Sequence, residues 1–354
     1  MSDADNIVVD TTNRIFRDLG DPQSVNSARD ETWREPLWNA LEEAGLTVAW
    51  LSDDLGGAGA SVADGIAVLR VAGSFAAPVP IAETLLAAWL LGQAGLSAPK
   101  GPMTVAPMRD KDQVTVDRDG RLVGAARDTP WASAAKHIAL LAEREDRAVV
   151  ALVDRNDCAI TPGTNLAADP RDEVRFDGIT PLKLVDAPTG LDRRALSLMG
   201  AVVRSTQMTG ALESILNISV DYAGERVAFE RKIAKFQAVQ HELARLASET
   251  AAAIAASGAA AAAIGDATAF DDRVFIEVAA TKVRVGEAAR EGAAIAHQVH
   301  GAIGFTEEYV LHRFTRRLWS WQDDFGSESV WAARIGEMIC AAGPDQLWPT
   351  ITAA

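Results

Sequence analysis

Beyond Pro188 the sequence carries helical periodicity almost to its last residue: one long pattern over 190–224, a second over 236–265, a third over 271–301 and a shorter one over 327–342. Phe236, Val239, Leu243 and Leu246 recur at i, i+3, i+7 and i+10, the spacing of an amphipathic face. The tract from Ala251 to Ala263 is mostly alanine, which has the highest helix propensity and lets neighbouring helices approach closely. Helices of this length need partners to cover their apolar stripes, so a bundle of antiparallel helices is the expected outcome.

Up to about residue 98 the texture is also helical, in shorter pieces. Leu37, Leu41 and Leu46 lie near helical spacing within 36–50, with Gly45 placed to end the helix. The glycine-rich run from Asp54 to Ala60 has no strand before it, so it reads as a helix connector and not as a dinucleotide fingerprint. Ala- and Leu-rich helices are expected over about 62–76 and 80–95. From 99 to 184 short alternating segments take over, such as 113–117 and 138–142, punctuated by turn residues. Asp119-Gly120 between Val116 and Leu122 signals a hairpin, and 174–178 reads as a last edge strand. The chain is therefore expected to be mainly α with a small β-domain: an N-terminal helical domain over 1–98, a β-domain over 99–184 and a helical bundle over 185–354.

Composition narrows the function classes. With 48% hydrophobic and 23% charged residues among 354, the chain can bury a sizeable core. Its 34 Lys and Arg against 49 Asp and Glu leave a net charge of −15, unsuited to a binder of nucleic-acid backbones, so no nucleic acid partner is expected. The first five residues carry neither a basic patch nor the apolar run of a secretory signal, and no stretch approaches an uninterrupted membrane-spanning length. A soluble, cytoplasmic protein with no membrane partner is the expectation. Cys158 and Cys340 are far apart, and His297, His300 and His312 follow no zinc-binding spacing, so neither a disulfide framework nor a metal site is expected.

Three segments carry a resemblance. The first runs Tyr222-Ala-Gly-Glu-Arg226-Val-Ala-Phe229-Glu230 and on through Ile233 to Phe236-Gln237. The second is Gln298-Val-His-Gly301-Ala302-Ile-Gly304-Phe305, followed by Glu308-Tyr309, and the third, weaker, is Trp131-Ala-Ser133. Read together with the helical, β and helical order, they resemble the acyl-CoA dehydrogenase family, departing at Glu230 and Ala302, where the family favours Gly. The resemblance implies a central β-barrel-like domain and a C-terminal four-helix bundle, assembled as a dimer or tetramer. It also implies α,β-dehydrogenation of an acyl-CoA thioester by FAD, re-oxidised by an electron-transfer flavoprotein.

The resemblance assigns roles to the matched residues. Arg226 would contact the FAD pyrophosphate of a neighbouring subunit, where a guanidinium fork reaches two phosphate oxygens at once; a surface ion pair with Glu225 or Glu230 is the alternative. Phe229 would pack on flavin or adenine, or in the core. Gln237, Gln298 and Gly301 fall among the cofactor contacts, and Gly301 also reads as a helix C-cap. Trp131 would lie along the flavin, and Ser133 would offer its hydroxyl or its amide near flavin N5 and O4. His300 and His312 match no catalytic position. The segment from Thr104 to Asp110 resembles a shortened form of the family's flavin-covering loop, implying a more open cover.

The reaction needs a carboxylate to remove the α-proton while a hydride leaves the β-carbon. In most of the family this base is the Glu of a Glu-Gly-Thr motif, and an ungapped match from Phe305 places Phe325 there, in Asp323-Asp324-Phe325-Gly326-Ser327. Other members carry the Glu on the long helix before Arg226, where the ungapped count reaches Gly200; Glu213 is the sole acid between Arg194 and Asp221. Three readings follow. The chain is the base-lacking subunit of a heteromeric enzyme, with a paralogous partner supplying a complete site; or Asp324 serves as base in a homo-oligomer; or the chain is a flavin-free scaffold. The first ranks ahead of the second, and both ahead of the third.

Overall fold

The computed structural model describes residues 3–109 and 111–353, so Asp110, the end of the shortened covering segment, lies outside the described residues. Five helices come first: α1 (Asp3–Leu19), α2 (Pro22–Ser27), α3 (Arg34–Glu43), α4 (Val62–Phe75) and α5 (Ile81–Gln93). A capping box starts α4: the Ser61 hydroxyl accepts from the Asp64 N–H, and the Asp64 carboxylate accepts from the Ser61 N–H. Every residue of α5 from Ile81 to Leu91 is buried, as a helix apolar on all sides requires. The Thr84 hydroxyl ties it to the first strand, donating to the Met103 carbonyl at 3.1 Å and accepting from the Met103 N–H at 3.0 Å.

Eight strands follow: β1 (Met103–Ala106), β2 (Val114–Val116), β3 (Leu122–Pro130), β4 (His137–Arg144), β5 (Arg147–Asp154), β6 (Ala159–Thr161), β7 (Arg171–Ile179) and β8 (Lys183–Asp186). Their order is β6-β7-β3-β2-β4-β5-β8, with β1 paired in parallel to β4. The hairpin forms at Asp119-Gly120, with Val116 opposite Leu122 and Gly120 at φ +77°. Ile138, Leu140 and Ala142 face the sheet's own apolar core, while Ala139 and Leu141 join the cluster that includes α5. Burial on both faces is why 138–142 is unbroken apolar sequence. The expectation of a last edge strand at 174–178 is corrected: this segment lies in β7, paired to both β3 and β6, and β8 follows it. Alternation reports one buried face of a strand, and says nothing of what hydrogen-bonds to its two edges.

The second helical part comprises α6 (Arg193–Glu225), a small hairpin of β9 (Val227–Ala228) and β10 (Arg231–Lys232), α7 (Gln237–Gly265), α8 (Asp272–His300), α9 (Leu311–Trp321), α10 (Glu328–Ala342) and α11 (Leu347–Ala353). Asp192 and Asp271 cap the first amides of α6 and α8. Gly73 and Gly210 let α4 and α6 touch backbone to backbone: a Cβ at Gly210 would sit 1.9 Å from the Arg70 carbonyl oxygen. By length and mean hydropathy alone α7 passes for a membrane-spanning helix, which qualifies the reading made from the sequence. Its hydropathy comes from alanine, and Leu246, Thr250, Ala253, Ser257, Ala260 and Ile264 form its buried stripe within the protein. α9 adds a helix to those expected from the sequence; its Leu311, Phe314, Leu318 and Trp321 repeat the i, i+3, i+7, i+10 spacing and are all buried.

Candidate active site

The connection between α9 and α10, residues 322–327, is held from four directions. Lys282 of α8, 1% exposed, donates from Nζ to the Gln322 carbonyl at 2.9 Å, so a buried cation meets the C-terminal end of α9. Burial pushes its ammonium down to about 8, opposed by the neighbouring Asp324 carboxylate. Asp324 accepts from Arg171 of β7 and lies 2.8 Å from Nε of Arg204 on α6. Arg204 continues the chain of charges, reaching Glu83 of α5 at 2.6 Å and the Gln207 amide oxygen. Phe325 takes the left-handed conformation, φ +57°, and its carbonyl accepts from the Trp331 indole N–H at 3.0 Å. The Phe325 ring turns inward onto α6, where a Cβ added to Gly200 would come within 2.5 Å of three ring atoms.

A cleft of about 790 Å³ opens on this connection, with Asn165, Arg171, Trp319, Ser320, Phe325 and Ser327 among its walls. That volume suits a cofactor ring system. Asn165 Oδ1 accepts from the Ala167 and Asp169 amides at 2.9 and 3.1 Å, which leaves Nδ2 buried with no hydrogen-bond partner among the described residues. An unmet buried donor costs roughly 1–3 kcal/mol, and a bound carbonyl or ring nitrogen would satisfy it. Asp323, also on the wall, has its carboxyl raised by burial.

Trp131 and Ser133 are absent from the walls of this cleft. Trp131 is 6% exposed, with the Arg34 guanidinium 5.5 Å above its ring. The Ser133 amide, offered to a flavin on the sequence reading, donates instead to Asp172 at 2.7 Å. Asp172 is fully buried and also accepts from the Gly163 amide, and a buried carboxylate requires such donors. Asp324 as a free base is likewise at odds with its setting between two guanidinium groups, both of which are directed at its Oδ2.

The remaining candidates form a second, exposed group. Arg226 caps the end of α6 and projects into solvent. Beyond it the β9–β10 hairpin turns at Phe229 (φ +50°) and Glu230 (φ +65°), the two positions that favour Gly or Asn. This explains the family's Gly where Glu230 stands. Phe229 is 88% exposed, so the core role is ruled out; its ring lies edge to face with that of Phe236, at 6.2 Å. Gln237 is exposed at the first position of α7, and Gln298 is exposed in the last turn of α8. Gly301 caps α8 at φ +64°, and Ala302 lies in a 3-10 turn open to any residue. Tyr222 stacks on His300 at 4.4 Å and donates to its carbonyl at 3.3 Å, bringing the two motifs side by side.

Beneath this surface His297 is stacked between Phe305 (4.2 Å) and Trp319 (5.6 Å), with Nε2 3.0 Å from the Thr315 hydroxyl. His300 donates from Nδ1 to the Ala296 carbonyl at 2.7 Å, and His312 meets the Tyr309 carbonyl. Burial holds His297 and His300 below the ordinary imidazole value of 6.5. The unfolded chain therefore takes up protons first on acidification, so the stability is full above about pH 6.5 and is lost as pH falls below it. Thermal melting is expected to drop between about pH 7 and 5.5, with a shallower drop in His297→Gln; an unchanged slope in that variant would remove His297 from the account.

Residues 197–338 match the family model described as acyl-CoA dehydrogenase, C-terminal domain. Over 302 residues the chain is 28% identical to acyl-CoA dehydrogenase IpdE2 of Mycobacterium tuberculosis, covering 84% of this chain and 85% of that protein. Its fold is similar to that in the ChsE4-ChsE5 complex from Mycobacterium tuberculosis, with TM-score 0.85 at 24% identity over 97% of this chain and 99% of the other. It is also similar to the Tcur3481-Tcur3483 steroid ACAD, with TM-score 0.84 at 23% identity over 96% and 98% of the two chains.

Proposed function

We propose that this chain, whose residues 197–338 match the acyl-CoA dehydrogenase C-terminal domain, is the base-lacking subunit of a heteromeric, FAD-dependent enzyme acting on an acyl-CoA thioester. The observation that carries the reading is the contact of Phe325 with Gly200. These are the two positions where the resemblance puts the proton acceptor; they meet in space, and neither bears a carboxylate. The adjacent acid, Asp324, is paired with Arg171 and Arg204.

FAD, when bound, supplies the hydride acceptor. This chain's own residues then divide into two tasks. Asn165 and Ser327 line a cleft with polar groups for the edge of a ring system. Arg226, Phe229, Gln298 and Gly301 stand together on an exposed surface away from the walls of that cleft, which suits contact with the phosphates and adenine of a cofactor held by another subunit. The two-chain complex among the structural relatives supports a related partner chain in a dimer or tetramer. An electron-transfer flavoprotein is the corresponding oxidant of the reduced enzyme.

Co-purification tests the proposal. A second, sequence-related chain and a flavin are expected to come down with this one, and Arg226→Met is expected to weaken flavin retention by the assembly about tenfold or more while leaving the melting of this chain unchanged. A preparation without flavin absorbance, both alone and with its partner, would favour the scaffold instead.

A further inference from the structure

Three features of the Phe325 site go beyond a missing carboxylate. The ring is 7% exposed and belongs to the same buried cluster as Leu86 of α5, Leu198 and Val202 of α6, and Trp331 of α10. It reaches that place through a left-handed backbone that L side chains disfavour, fixed by the Trp331 hydrogen bond to its carbonyl. It also requires glycine on the facing helix, since ring atoms would lie 2.3, 2.4 and 2.5 Å from a Cβ at position 200. Next to Phe325 in the chain, Asp324 joins a line of charges, Glu83, Arg204, Asp324 and Arg171, that runs from α5 through α6 to the α9–α10 connection and β7. An apolar tail driven between α5 and α6 would have to part these pairs, and an ion pair broken in a buried setting is strongly unfavourable.

We infer that Phe325 is a plug: seated on Gly200, it closes the space between α5, α6 and the α9–α10 connection to an acyl tail, so this chain's cleft accepts a ring system or headgroup but not the acyl part of a thioester. The inference rests on the reading of the chain as a base-lacking subunit, and makes the partner chain the sole home of the acyl group. Phe325 is on this account a specificity-determining residue that acts by exclusion. A chain that had merely lost its base would need only a small neutral residue at 325 and would have no reason for the ring, the left-handed backbone or the matching glycine.

The test uses the full-length chain as purified and two probes, CoA and its unreactive thioether S-octyl-CoA, with affinities measured by calorimetry. The native chain is expected to bind the two equally to within about twofold, because the tail stays in water. Phe325→Ala is expected to raise the preference for S-octyl-CoA by about tenfold or more, since burying two methylenes already yields that factor. A native chain that prefers the alkylated probe tenfold, with no change in Phe325→Ala, overturns the inference. A second measurement guards against a variant that fails to fold. Gly200→Ala is expected to lower the melting temperature, and Phe325→Leu in the same chain to restore part of the loss; a Gly200→Ala protein that melts like the native one shows that the ring is not seated there and overturns the inference too. Absence of flavin from both chain and complex would refute the base-lacking-enzyme reading while leaving tail preference and the Gly200–Phe325 coupling to report on the plug.

Discussion

Asp324→Ala is expected to cost about 3–5 kcal/mol of folding stability, because it strands Arg171 in a buried setting and leaves Arg204 with Glu83 alone. Both arginine side chains are nearly inaccessible, at 3% and 9% exposure, so their charges are poorly screened once the carboxylate is gone. Chemical denaturation would read the loss as a shift of the midpoint. The same network makes a reciprocal demand: replacing Glu83, Arg204, Asp324 and Arg171 together with apolar residues of similar volume is expected to recover much of the stability, since removing the whole set leaves none of its four charges unpaired. A loss below about 1 kcal/mol in Asp324→Ala, the range of surface pairs, would mean that the contacts are solvent-screened. Asp324→Asn separates structure from chemistry. If Asp324 were the proton acceptor, turnover per folded, flavin-loaded protein would fall by about 10²–10⁴; the pairing with two guanidinium groups leads to the expectation that it stays within a few-fold.

Phe325→Glu carries the second large effect. A glutamate there occupies the space over Gly200 with a smaller side chain, opening the plug and placing a carboxylate where the resemblance locates the base. Partial burial raises the proton affinity of such a carboxylate, which makes it a stronger base while it remains ionised. The flavin-loaded variant is expected to bleach on addition of a simple acyl-CoA, while the native chain under the same conditions does not. The substitution also removes a buried aromatic ring, so a stability loss of about 3–5 kcal/mol accompanies it. A folded, flavin-loaded Phe325→Glu protein that binds acyl-CoA and never bleaches would show that the thioester is not presented to this position.

Much of the helical framework was legible because its signals are local. Asp192 and Asp271 cap α6 and α8 through bonds spanning two or three residues, and Gly301 ends α8 by its own backbone freedom. Gly120 likewise marked its hairpin within four residues. α9 carries a weaker signal: its apolar stripe is regular, but Arg313, Arg316 and Arg317 between the apolar positions mask it. The hairpin turn at Phe229-Glu230 was hidden for a different reason, since neither residue type announces a positive φ.

What the amino-acid sequence determined alone was the long helices of the second helical part, the Asp119-Gly120 hairpin, the two motifs at 222–237 and 298–309, and the identity of the side chains at 200 and 325. Only the tertiary structure decided that those two positions touch, that the Ser133 amide serves Asp172, and that Asp324 is shared by Arg171 and Arg204. The physical reason is range. Periodicity and capping act over a few residues, whereas Arg204 finds Glu83 across 121 positions and Arg171 finds Asp324 across 153, and no spacing along a chain specifies which charges are buried together.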